Sequence, residues 1–132
     1  MKNSIEKTLV YGVVIASIIV IVVYNYDFRI NRTKVENNYF MSTGYIIKYN
    51  CMGGMESCYM TYEYKKDYQI FERRVGCTGY FSKCQYDLSI CSDKRFWVAY
   101  EKGNPSNSLI NLDIEIQDIE NPTPPETLEG FR

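Results

Sequence analysis

The sequence predicts a mainly β protein: a small antiparallel sheet or partly open barrel of about five strands, preceded by one N-terminal transmembrane helix. Three observations carry this. Leu9 to Tyr26 reads LVYGVVIASIIVIVVYNY, with no charge between Lys7 and Asp27. Thirteen Tyr and six Phe against four Pro favour strands. Beyond residue 43, apolar and polar residues alternate with period two in several short runs bounded by turn residues.

The apolar run defines the first segments, a stub at 1–8 and a membrane-spanning helix at 9–26. The nineteen uncharged residues from Thr8 to Tyr26 make a helix of roughly 28 Å at ~1.5 Å per residue, close to the ~30 Å of a bilayer core. An isolated strand cannot satisfy its backbone in lipid, so a helix is expected despite the Val and Ile content. Tyr24 and Tyr26 stand where an aromatic belt would lie. A cleaved signal peptide would have a shorter apolar region and a small-residue cleavage site, whereas this run ends in YNYDFRI. Asp27 to Asn38 is polar and unpatterned, so 27–42 reads as a juxtamembrane linker. The triplet Asn31-Arg32-Thr33 matters as a glycosylation sequon only in a secretory setting.

A β domain is expected at 43–116. In GYIIKYNCMGGMESCYMTYEY a two-residue turn at Gly54-Met55 pairs Cys51 with Cys58, Tyr49 with Met60 and Ile47 with Tyr62 on one face. The other face then pairs Asn50 with Tyr59, Lys48 with Thr61 and Ile46 with Glu63. Centring the turn on Gly53-Gly54 keeps these faces but sets Cys51 opposite Glu56. A turn at Lys65-Lys66-Asp67 leads to a third strand, Tyr68 to Val75, whose register the mixed faces leave open. Residues 80–94 have no clean period, and a short helix and a disulfide-pinned loop both fit. Arg95 to Glu101 alternates Phe96, Val98 and Tyr100 with Arg95, Trp97 and Ala99. After Lys102-Gly103-Asn104-Pro105, Ser108 to Ile116 alternates Ile110, Leu112, Ile114 and Ile116 with polar residues. The charged, Pro-rich stretch 117–132 reads as a flexible acidic tail.

Charge is uneven along the chain. Residues 27–112 carry 12 basic and 9 acidic side chains, a net of +3, while residues 113–132 carry 1 basic and 6 acidic, a net of −5. A +3 body without a basic helix or a phosphate loop gives no ground for nucleic-acid binding. The chain has no His, which removes the commonest general base and the commonest zinc nitrogen ligand. Asp113, Glu115, Asp118 and Glu120 lack the spacing of a calcium loop and read as a solvated face. Trp97 and the Tyr stripe read as core.

Cysteine is therefore the one candidate for chemistry. Cys51 and Cys58, and likewise Cys77, Cys84 and Cys91, are separated by six intervening residues, which is neither a zinc-knuckle nor a redox C-x-x-C spacing. All five are disulfide candidates, and five choices of odd thiol times three pairings leave fifteen two-bridge arrangements. The hairpin singles out Cys51 with Cys58, with Cα atoms about 4.5 to 5.5 Å apart, against rivals such as Cys58 with Cys77. Five cysteines in so small a domain suit the exoplasmic side, periplasmic or extracellular, although the charges flanking the helix barely choose an orientation.

Arg95-Phe96-Trp97 followed by Val98-Ala99-Tyr100-Glu101-Lys102-Gly103-Asn104-Pro105-Ser106-Asn107-Ser108 resembles the closing motif of a loose group of small bacterial membrane-anchored β proteins. That motif is a Val-x-Tyr strand, a turn with Asn-Pro or Asp-Pro, then Ser and an apolar strand. Thr43-Gly44-Tyr45-Ile46-Ile47, Tyr62-Glu63-Tyr64 and Tyr68 are similar to the same group, so the resemblance spans 43–114. The chain departs from it in lacking Gly at Lys66-Asp67 and in its Cys-rich insertion. The resemblance implies a membrane-anchored β domain and brings no catalytic residues. The functional expectation is a membrane-tethered, non-catalytic module, held in the bilayer by residues 9–26, that binds or shields a protein partner in an accessory, envelope or immunity-type role. No cofactor, metal or nucleic acid is expected. The alternative is a thiol-dependent redox protein or enzyme using one of the five cysteines.

Overall fold

The computed structural model describes residues 2–51 and 58–132, so the turn expected at Gly54-Met55 lies outside the described residues. The chain divides into two compact units, 1–33 and 34–132. Helix α1, Lys2–Asn37, fills the first unit and contributes its last turn to the second. Lys7–Tyr24 is long and apolar enough to cross a membrane, and no protein covers its side chains. The expected linker is corrected over 27–37, and the residues expected as a stub are helical from Lys2. The helix starts at Lys2 and runs ten residues past Asp27, because no Gly or Pro interrupts the sequence between Gly12 and Gly44 and propagation is easy once a helix is nucleated.

In the second unit five strands form an antiparallel open sheet: β1 Tyr39–Cys51, β2 Cys58–Lys66, β3 Gln69–Gly76, β4 Phe96–Glu101 and β5 Asn104–Glu115, in the order β3-β2-β1-β4-β5. Strand β1 starts four residues earlier than expected. Its first half pairs β4, from Tyr39↔Glu101 to Gly44↔Phe96, and its second half pairs β2, from Gly44↔Tyr64 to Cys51↔Cys58. A three-stranded meander followed by a fourth strand returning beside the first is a Greek key. Strand β5 then extends the sheet beyond β4. Gly44 sits where β1 changes partner, and a Cβ there would lie 2.8 Å from both the Glu63 carbonyl oxygen and Val98 Cγ2.

The hairpin register agrees with expectation at Cys51↔Cys58, Asn50↔Tyr59, Tyr49↔Met60 and Lys48↔Thr61. It then departs. A bulge at Ile47 sets Ile46 opposite Tyr62 and Tyr45 opposite Glu63, so Ile46 is buried and the expected Ile47–Tyr62 pair does not form. A bulge adds one residue to one strand and turns the faces over beyond it, which simple alternation cannot anticipate.

Residues 79–92, left open between helix and loop, form a 3-10 helix, Gly79–Gln85, and a single turn of α-helix, α2, Ser89–Ser92. They cover the main core, in which Phe81, Cys84 and Cys91 meet Ile46, Met60, Tyr62, Phe96, Val98 and Ile110. The edge strands β3 and β5 approach each other, and Arg73 Nη1 donates to Asn107 Oδ1 at 2.9 Å. Inside this seam Tyr62 and Ser108 share a hydroxyl hydrogen bond of 2.8 Å, Tyr64 OH donates to the Pro105 carbonyl, and Asn107 Nδ2 donates to Glu101 Oε2 at 3.0 Å. The polar groups of this seam are thus paired, as burial requires.

A second, smaller core lies among Val35, Ala99, Leu109 and Phe131, with Tyr39, Met41, Trp97 and Leu128 at its margin. It corrects the expected flexible tail. Ile110 and Arg132 exchange both backbone hydrogen bonds at 3.0 Å, Arg132 ion-pairs Asp113, and Phe131 is only 2% exposed. Strand β5 loses its expected alternation where the register shifts between Phe96↔Glu115 and Val98↔Ile110. Ile110 and Leu112 stay in the main core, Asn111 on the opposite face is buried where Glu129 and Phe131 cover it, and Ile114 is left 61% exposed.

Candidate functional site

The side of the β1–β2–β3 meander opposite the main core presents polar residues at every second position. Lys48, Thr61 and Arg74 form one row across the three strands, and Tyr45, Glu63 and Glu72 form another. Lys48, Asn50, Tyr59, Thr61, Glu72 and Arg74, with Arg73, line an open groove of about 380 Å³. Arg74 places its guanidinium 4.7 Å from the Tyr59 ring centroid. Arg95 does the same over Tyr45 at 4.5 Å, while Tyr45 OH donates to Glu63. Stacking holds each guanidinium in one place and leaves its edge donors available.

Two cations, Lys48 and Arg74, stand on this face with one carboxylate, Glu72, a net charge of +1, while Arg73 borders the groove but turns its guanidinium to Asn107 on the other side of the sheet. The Glu63 hydrogen bond, with burial second, raises the Tyr45 phenol above its ordinary range. Such a surface can take carboxylates and polar backbone from an extended or loop segment.

The cysteines fall into three groups. Cys51 and Cys58 lie at disulfide distance, with Cα atoms 4.0 Å apart, and so do Cys84 and Cys91, at 5.9 Å. Cys77 remains free and half-buried. Burial pushes its thiol pKa up, partly offset by the Tyr49 hydroxyl, which donates to the sulfur. Asp113 and Glu115 are engaged by Arg132 and by Lys94, whose Nζ lies 2.6 Å from Glu115 Oε2.

Sequence reasoning missed the groove as a site. Its β1 and β2 members are legible as the polar face of the hairpin, but Arg74 joins them only through the register of β3, Thr61↔Arg74 and Tyr62↔Arg73, which mixed faces leave undetermined. No protein family, no curated protein and no solved structure matches the chain.

Proposed function

We propose that the chain is a membrane-tethered module, non-catalytic in itself, that binds a protein partner through the groove on β1–β2–β3. The observation that carries this reading is the basic, aromatic-backed lining of Lys48, Arg74 and Tyr59, which suits an acidic segment of a partner. The uncovered apolar helix Lys7–Tyr24 supports attachment to a bilayer. The two cysteine pairs at disulfide distance support an exoplasmic domain, periplasmic or extracellular. An accessory, envelope or immunity-type role follows from such a placement.

The test is a photoreactive residue placed at Lys48, Thr61 or Arg74 in the membrane-bound protein, with Ile119 as control. One adduct common to the three groove positions, lost on Arg74→Glu and absent at Ile119, is expected. Adducts that are the same at all four positions would refute the groove.

A second reading, thiol chemistry, is favoured by one observation. The free Cys77 adjoins Cys58, since its backbone N–H donates to the Cys58 carbonyl at 3.2 Å.

A further inference from the structure

Three cysteines stand in line across three neighbouring strands. Cys51 is the register partner of Cys58 between β1 and β2. The β2–β3 ladder ends at Tyr59↔Gly76, and the Cys77 N–H to Cys58 carbonyl bond continues it by one residue, setting Cys77 opposite Cys58. In-register residues of an antiparallel pair point to the same side. Cys77 and Tyr49 both pack against the main core, which places this row on the core side of the sheet, and all three cysteines are half-buried. Cys58 therefore has one cysteine on each flank, Cys51 with its Cα 4.0 Å away and Cys77 on the neighbouring strand, where strands lie about 4.8 Å apart. Burial pushes the Cys77 thiol up, and the Tyr49 hydroxyl, reaching from β1 to bond the Cys77 sulfur, offsets part of that cost.

We propose that this row is a thiol–disulfide exchange centre, in which Cys77 displaces Cys51 from Cys58. The inference rests on the second reading above and is independent of the groove. The Cys77 thiolate attacks Cys58 Sγ. The Cys51–Cys58 bond breaks as the Cys58–Cys77 bond forms, and Cys51 leaves with the electron pair and takes up the proton that Cys77 gave to solvent. One bridge is present before and after, so neither oxidant nor reductant is consumed. The covalent tie moves from β1–β2 to β2–β3, and the free thiol moves to the end of β1. The other bridge is differently placed, as Cys84 and Cys91 belong to the helical segment itself and are buried against the main core.

The test uses the full chain in detergent, oxidised, incubated between pH 7 and pH 9, quenched in acid, alkylated and mapped without reduction. Chains labelled at Cys77 and chains labelled at Cys51 are both expected. The rate of appearance of the Cys51 label should climb about tenfold per pH unit while the thiolate is the minor form. That rate should not depend on protein concentration. Tyr49→Phe should slow it, and Cys77→Ser should abolish it while the Cys84–Cys91 bridge, mapped in the same digest, reports an intact fold. Label confined to Cys77 would overturn the exchange and leave Cys77 as a reactive thiol. No label before denaturation would overturn the thiol reading altogether. Label at Cys84 or Cys91, or a concentration-dependent rate, would overturn the assigned route.

Discussion

Gly44 shows how much one absent methyl can decide. It serves two strand pairs at once, and the space its Cβ would need is filled by the Glu63 carbonyl and Val98. Backbone on one side cannot yield, so Gly44→Ala is expected to destabilise the domain by about 2 kcal/mol, in the range of overpacked cores; chemical denaturation of the full chain in detergent measures it. Asp67 presents the opposite case. It occupies the left-handed region, φ 54°, in the two-residue turn between Lys66 and Gln69, where glycine carries no steric penalty. Asp67→Gly should therefore stabilise by up to about 1 kcal/mol in the same assay.

Tyr62 adds a pH dependence. Burial pushes its phenol far above the ordinary value, with the Ser108 hydrogen bond opposing. The neutral form is thus preferred in the folded state, and its contribution to stability is complete below the unfolded value near 10 and is lost as pH rises above it. Absorbance titration at 295 nm should show a late-ionising tyrosine that disappears in Tyr62→Phe. That variant should also lose about 1 kcal/mol, since the Tyr62–Ser108 hydrogen bond is gone and only Tyr64 is left to meet the buried Ser108 hydroxyl.

At the scale of the element, the tail matters most. Phe131 and Leu128 help close the second core, and the backbone of Arg132 pairs with Ile110. Phe131→Ala should cost about 3 kcal/mol, and removal of residues 127–132 should lower the melting temperature, opposite to what a flexible tail implies. The strands β2 and β4 were legible from apolar residues at every second position, β3 only as a strand of open register, and the cysteine pair Cys51–Cys58 followed from the hairpin's alternation plus a short turn. What escaped has a common cause. The Ile47 bulge, the irregular stretch of β5 and the single apolar anchor Phe131 are aperiodic, and periodicity is blind to them. The polar segment 27–37 misled for a different reason, since surface helix and linker share a composition when no breaker separates them. The groove was half legible, because alternation exposes a face but only register assembles residues from three strands.

At the scale of the whole chain, the helix should keep the intact protein with membranes through alkaline carbonate extraction, as Lys7–Tyr24 carries no charge after Lys7. A water-soluble fragment should begin no later than Lys34, because Val35 is fully buried against Ala99, Leu109 and Phe131. A start at Asn38 is expected to give a lower melting temperature than a start at Lys34. The sharing of β1 between two partners also sets the order of assembly. The meander from β1 to β3 and the hairpin from β4 to β5 close over short separations, whereas the pair Tyr39↔Glu101 joins residues sixty-two positions apart. Loop closure of that length precedes any reward from the contact, and non-local pairing is what slows two-state folding. Both disulfide pairs span only seven positions, so neither shortens that search. Substitutions at the β1–β4 seam such as Ala99→Gly should slow refolding, while reduction of the bridges should chiefly accelerate unfolding; the rate-limiting event is the moment when the first half of β1, idle until then, captures the returning strand.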